Sequence, residues 1–221
     1  MKNIFSMLLS GSLGMALMGL LIFGPAGTFD YWQAWVFLAV IATSSWLVSI
    51  YFLRTNSEVL ARRRLVPETR ITQRVIAGGV FMLWAAMLVV SALDHRNGWS
   101  TVPVAVSLFG AALIAIGIGA VGLVLMQNSH AAVTVRVEPG QQLISTGLYG
   151  LVRHPMYTCN VFLLVGTPLA LGSYWGLVFV IPALVVFAFR IRDEEKLLQD
   201  DLAGYEAYMR QVPSRMMPGV W

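Results

Sequence analysis

Residues 102–126 read VPVAVSLFGAALIAIGIGAVGLVLM, an unbroken apolar run with no charged side chain. The uncharged interval around it is longer still, from Asn97 to Val135. A bilayer core of roughly 30 Å asks for about 20 apolar residues in a helix, because no water is available to satisfy backbone groups. Working outward, the pattern repeats. From Asn3 to Leu53 the only charge is Asp30, and neither Val75–Leu93 nor His154–Phe189 carries any. The chain therefore reads as an all-α, polytopic membrane helical bundle.

Composition agrees. Of 221 residues 57% are hydrophobic and 12% charged, about half the charged fraction of an average soluble domain, and mean hydropathy is +0.72. A single cysteine, Cys159, excludes an internal disulfide framework, and three scattered histidines argue against a structural zinc site. A net charge of +4 does not point to nucleic acid, since the basic residues gather in one short loop between apolar runs. Lys2 followed by an apolar stretch resembles a signal peptide, but the stretch runs to Phe23 and more spans follow, so a retained first helix is expected.

The expected spans are 4–24, 33–53, 75–93 and 102–126, then a shorter pair, 155–171 and 174–190, forming a helical hairpin turned at Gly172-Ser173. Gly24-Pro25-Ala26-Gly27 separates the first from the second. Residues 54–74 hold six Arg and two Glu, and such basic excess belongs in the cytoplasm. Alternation then puts both termini and residues 127–154 on the same side. The whole chain, 1–221, reads as one membrane domain, with a four-span scaffold over 1–126 and the chemistry over 127–221. Pro168 and Pro182 interrupt the last two spans, where neighbours must compensate freed backbone groups.

One motif is a decoy. Gly117-Ile118-Gly119-Ala120-Val121-Gly122 satisfies G-x-G-x-x-G, but a dinucleotide fingerprint needs a preceding strand and open helix-start amides. Inside an apolar span those glycines are expected to serve packing. Ala111, Ala115 and Gly119 recur every four residues as a small-residue face for close helix approach.

The informative stretch is Ser145-Thr146-Gly147-Leu148-Tyr149-Gly150-Leu151-Val152-Arg153-His154-Pro155-Met156-Tyr157. Proline suits the first helical position and disfavours helix just before it. Pro155 should thus begin the fifth span, with His154 near its N-cap and Arg153 outside. The dipole end of that helix attracts anions and Arg153 adds a carboxylate-matching fork; basic residues at headgroup level explain the same pattern without a ligand. At the exit of the sixth span, Arg190-Ile191-Arg192-Asp193-Glu194-Glu195-Lys196 reads either as a solvated, salt-bridged helix end or as the facing half of a site. A hairpin of equal helices brings residue 190 level with 155. An Arg/His anion site beside a Glu cation site suits a zwitterion, such as the amino-acid group of S-adenosylmethionine. The tail, Gly204 to Trp221, mixes aromatic, basic and proline residues and reads as an interfacial anchor. Gln127-Asn128-Ser129-His130 ends the fourth span where it can line the same mouth.

Taken in order, Gly147-x-Tyr149, Arg153-His154-Pro155-x-Tyr157, Glu194-Glu195-x-x-Leu198, Tyr205-x-x-Tyr208 and Val212-Pro213 resemble the isoprenylcysteine carboxyl methyltransferase and phospholipid methyltransferase superfamily of membrane enzymes. The resemblance covers roughly residues 127–221. It implies a cytoplasmic S-adenosylmethionine pocket built by the last helices and the C-terminal segment. Arg153, His154, Tyr157, Glu194 and Tyr149 are implied to hold the cofactor, Arg215 and Glu195 to take part in catalysis, and Asn128 with Arg215 to meet the substrate. No metal is implied. Two positions depart from the family pattern: Leu148 replaces a proline in Gly-Pro-Tyr, which changes the turn, and Cys159 replaces a glycine, which is expected to narrow the pocket.

Methyl transfer is an in-line displacement whose donor is already activated, so the protein need mainly align the partners and exclude water. A carboxylate acceptor needs no base, whereas an amine must first lose a proton. With Glu194, Glu195 and His154 committed to the cofactor, the reading favours a carboxylate-like acceptor on a lipophilic molecule that enters between helices from the membrane lipids, with a phospholipid amine as the other case. Two rival classes stay open. The Arg-His-Pro motif and the tail also resemble NADPH-dependent sterol reductases, which are longer. A small transporter would place charges near the midplane, and the spans carry none there.

Overall fold

A computed structural model describes residues 2–62, 70–129 and 141–221. Part of the basic 54–74 loop, including Arg63 and Arg64, and His130 of the expected mouth lie outside those residues. The regular elements described are all helical: α1 (Lys2–Ala26), α2 (Trp32–Thr55), a short α3 (Ser57–Arg62), α4 (Ile71–Asn97), α5 (Val104–Gln127), α6 (Pro155–Ala170), α7 (Val180–Asp201) and α8 (Tyr205–Gln211). Among the described residues, five segments are long and apolar enough to cross a membrane: Leu9–Ala26, Trp32–Thr55, Ile71–Asn97, Val104–Gln127 and Trp175–Asp201. The protein is a polytopic membrane bundle. Its outer shell confirms this: Leu13, Leu47, Met82 and Ile181 are each about 70% exposed, more apolar surface than water tolerates on one face.

The last two helices form the shorter pair expected. With 16 residues, α6 is shorter than the roughly 20 of an ordinary span; it lies along α5 and runs from the end of the bundle that holds Arg153 to the end that holds Asp94. Helix limits also shift outward. The fourth helix starts at Ile71, not 75, because Gln73 is buried and donates to Asp193 of α7, while Arg70 pairs with the same carboxylate at 2.9 Å. Tertiary partners thus admit polar residues to a helix end. The first helix likewise runs through Pro25 to Ala26 and stops at Gly27, whose φ is +68°.

The two ends of the bundle are tied differently. At one, Tyr31 donates from its hydroxyl to the Leu171 carbonyl at 2.6 Å, and buried Asp94 accepts from Ser100 N, Ser100 Oγ and Ser173 Oγ at 2.5–2.7 Å. These bonds fasten the turn after α6 to the α1–α2 and α4–α5 connections. At the other end the starts of α4 and α6 meet the ends of α5 and α7.

Glycines set the α5–α6 spacing. A Cβ on Gly166 would stand 2.8 Å from the Gly110 carbonyl oxygen, and one on Gly117 would stand 3.1 Å from the Cys159 carbonyl. Packing therefore absorbs Gly117 and, against Val48, Gly122 of the false fingerprint. The predicted small-residue face is displaced by one position: Ala111 is buried, but Ala115 and Gly119 face outward, and the close approach runs through Gly110 and Gly117. A seven-residue spacing stays on one helix face better than a run of fours.

Candidate functional site

Pro155 occupies the first position of α6 with His154 as its N-cap, as the local sequence requires. The residues before it are held by the tail. Arg153 N donates to the Ser214 carbonyl at 3.0 Å and His154 N to the Arg215 carbonyl at 2.9 Å. The tail folds back on itself, since the amides of Arg215, Met216 and Met217 all donate to the Trp221 carbonyl oxygen. Arg215 also lies over the Trp221 ring at 5.1 Å.

An ionic cluster joins these pieces. Buried Glu195 accepts from Arg153 Nε at 2.8 Å and lies 2.7 Å from its Nη2, and its second oxygen accepts from Arg215 Nε at 2.8 Å. His154 Nε2 is 3.3 Å from Oε1. The remaining Arg153 nitrogen, Nη1, donates to the carbonyls of Val212 and Pro213 at 2.6 and 2.8 Å. The fork of Arg153 thus grips a carboxylate of its own chain. Two neighbouring glutamates part company, because successive residues on a helix point about 100° apart. Glu195 faces the cluster. Glu194 shares a stripe with Ala183, Phe187, Arg190 and Leu198 that lines a cavity of about 900 Å³.

That cavity has an ionic mouth and apolar walls. At the mouth the Tyr157 hydroxyl donates to Glu194 at 2.8 Å, and Asn128 Nδ2 donates to the Tyr149 hydroxyl at 3.1 Å. Arg153, His154, Tyr157, Glu194, Tyr149 and Asn128 all line it. Glu195 and Arg215 do not, so the two residues expected to take part in catalysis stand behind the wall as its brace. The mouth also sits lower than expected: α7 proper begins only at Val180, after a 3-10 turn over Trp175–Phe179. Residue 195, not 190, therefore comes level with the start of α6.

The 3-10 turn Gly147–Gly150 places Tyr149, and Leu148 enters it by donating its amide to Gln127 Oε1 at 2.8 Å. Gly147 has φ +61°, and a Cβ there would press on the Gln127 side chain. The Tyr208 hydroxyl donates to the Tyr149 carbonyl at 2.7 Å. Burial pushes the Tyr149 phenol up to about 12 and also raises those of Tyr205 and Tyr208. Cys159 is buried in the α5–α6 contact and is not a lining residue, contrary to the expectation that it narrows the pocket.

Sequence reasoning missed the far wall. Ser45, Val48 and Ser49 of α2, Phe81 and Trp84 of α4, and Asn160 of α6 complete the cavity. The Ser45/Ser49 pair, four apart in an apolar helix, was the available signal. Tyr205 also lines it, and among the described residues its buried hydroxyl has no hydrogen-bond partner.

Fold and site together define a polytopic membrane protein whose inner helix, last span and folded-back tail enclose one amphipathic cavity. Residues 105–203 match the family model described as phospholipid methyltransferase. The resemblance read from the motifs is thereby borne out. The chain is 23% identical over 142 residues to the nickel-cobalt-cadmium resistance protein NccN of Alcaligenes xylosoxydans xylosoxydans, a match covering 62% of each chain. It is 23% identical over 141 residues to the cobalt-zinc-cadmium resistance protein CzcN of Cupriavidus metallidurans, covering 62% of this chain and 61% of that one. A further match, 30% identical over 95 residues, covers 40% of this chain and 22% of the Delta(14)-sterol reductase TM7SF2 of Mus musculus.

Proposed function

We propose that the protein is an S-adenosylmethionine-dependent methyltransferase acting on a lipophilic acceptor at the cytoplasmic membrane face. One observation carries this reading: a single cavity of about 900 Å³ has charged and hydroxyl groups at one end and apolar helix faces at the other. Pockets of this size enclose most of a ligand's surface. A zwitterionic amino-acid group asks for a cation and an anion side by side, and His154, Arg190 and Glu194 line the mouth together. The Tyr205 hydroxyl, without a partner among the described residues, fits the same reading, since buried polar groups are rarely left unsatisfied.

S-adenosylmethionine supplies an activated methyl group on a sulfonium sulfur. The chain's own residues orient and enclose. Tyr157 fixes the Glu194 carboxylate by its 2.8 Å bond. Arg153 and Glu195 hold the tail, so that α8 closes the mouth against water. Bulk water is displaced by fixed dipoles, which strengthens attraction between opposite charges. Glu195 is engaged with His154 and with two guanidinium groups, and Glu194 with the Tyr157 hydroxyl, which leaves no evident general base and favours a carboxylate-like acceptor, of the isoprenylcysteine type, over a phospholipid amine. Orientation follows from the basic excess of residues 54–74: Arg70 pairs with Asp193 at the same end as the mouth.

The metal resistance relatives suggest another cargo. Among the described residues no group of three His, Cys, Asp or Glu side chains is placed to hold a metal ion, so the donor set favours the cavity reading. The match to a sterol reductase keeps one second reading in view, an NADPH-dependent membrane reductase. Titration of detergent-purified protein with S-adenosylhomocysteine and with NADPH separates the two. Binding of the first and not the second is expected; the reverse result overturns the proposal. Methyl transfer from labelled donor to lipophilic carboxylates, with phosphatidylethanolamine in parallel, then reports the acceptor.

A further inference from the structure

Asn160 is a polar side chain in an otherwise apolar stretch of α6, and it lies on the cavity face with Tyr157 and Leu164, three residues before and four after it. Among the described residues it has no hydrogen-bond partner, yet it is half-buried, and its amide is not among the sealed polar atoms without partners. An open amide at membrane depth meets no lipid group able to satisfy it, and such residues face cavities and mark ligand paths. Its depth is informative. Three residues separate it from Tyr157, about 4.5 Å of helix rise, so it stands between the ionic mouth and the apolar floor at Leu163 and Leu164. Ser45 and Ser49, from α2, add hydroxyls to the same cavity wall.

We propose that Asn160 recognises the acceptor, its side-chain N–H donating to the carboxylate of a lipophilic acid whose tail occupies the apolar floor. This rests on the methyltransferase reading. One carboxylate oxygen attacks the methyl carbon in line: the O–CH3 bond forms as the S–CH3 bond breaks, and the bonding pair stays on sulfur. The carboxylate becomes a neutral ester, the sulfonium a neutral thioether, and no proton is released. Asn160 holds the other oxygen and so sets which one attacks. An amine acceptor has no such lone pair to offer the amide N–H once it is aligned for attack, so the residue selects for the acid.

The test uses the full chain in detergent, with N-acetyl-S-farnesylcysteine as the lipophilic acid and phosphatidylethanolamine as the lipophilic amine. Asn160→Leu is expected to raise KM for the acid roughly 10-fold, the effect of losing a hydrogen bond to a charged group. Asn160→Asp, which opposes a carboxylate with a like charge, is expected to raise it further. S-adenosylhomocysteine affinity should stay within about twofold of the parent in both variants, in keeping with distinct subsites. Unchanged KM in both variants, or a loss confined to donor affinity, overturns the assignment of Asn160. Methylation of the amine alone, improved by Asn160→Asp, overturns the acid as substrate class. A parent that binds no donor overturns the methyltransferase reading itself and this inference with it.

Discussion

Arg153 and Glu195 stand 42 residues apart in the chain and 2.7 Å apart in the fold, with side chains 3% and 4% exposed. Through this pair the start of α6, the end of α7 and the C-terminal segment become one unit. A buried ion pair contributes little compared with an apolar replacement of the whole pair, but removing one partner strands the other charge. Glu195→Ala leaves Arg153 and Arg215 without their shared carboxylate and should destabilise the protein by about 3–5 kcal/mol. Thermal melting in detergent checks it; a variant that melts with the parent would show that water or lipid replaces Glu195 without cost.

Gly110 and Gly166 permit the α5–α6 approach, whereas Gly119 has nothing within 4 Å of a Cβ. Gly166→Ala should cost about 1–3 kcal/mol, since its new methyl meets backbone that cannot yield. Gly119→Ala should be neutral or stabilise by up to about 1 kcal/mol, the helical preference of alanine over glycine. Melting temperatures of the two variants, measured side by side, should move in opposite directions or differ clearly.

Asp94 holds Ser100 and Ser173 at the end of the bundle away from the mouth. Asp94→Ala leaves buried Ser173 and half-buried Ser100 unmatched, at about 1–3 kcal/mol for each group that water does not reach. Stability should fall while donor affinity of the folded fraction stays level. Isothermal titration on protein held below its melting point separates the two effects, and a parallel loss of affinity would tie this end of the bundle to the site.

Tyr149, Tyr205 and Tyr208 hold their protons more tightly when folded. In the unfolded chain a tyrosine titrates near pH 10, so between pH 10 and the folded value the unfolded state binds fewer protons and stability falls as pH rises. The contribution of Tyr149 is fully present below about pH 10 and is lost as pH climbs through about 12. Melting temperature followed from pH 9 to 12 should drop, and Tyr149→Phe should drop less steeply. A flat profile would place these phenols in contact with water.

Length and hydropathy were enough to specify a membrane bundle, because backbone in lipid has so few alternatives to a helix. Pro155 and Gly147 were legible for a similar reason: proline and glycine act on their own backbone, before any tertiary contact forms. The ordered Arg-His-Pro, Glu-Glu and Tyr-x-x-Tyr motifs each contribute a residue to one cavity. They did not assign its roles. Which of Glu194 and Glu195 faces the cavity depends on a 100° turn of helix and on where α7 begins, and the start of α7 is set by a 3-10 turn with no strong local signal. The partners of Arg153 come from residues 195, 212 and 213, brought near only by the folded-back tail. Asn160, Ser45 and Ser49 looked like ordinary polar residues in apolar helices until two distant spans were found to share one cavity. A sequence fixes what each segment must do by itself; shared cavities and shared charges depend on distances between segments, and those exist only in the assembled bundle.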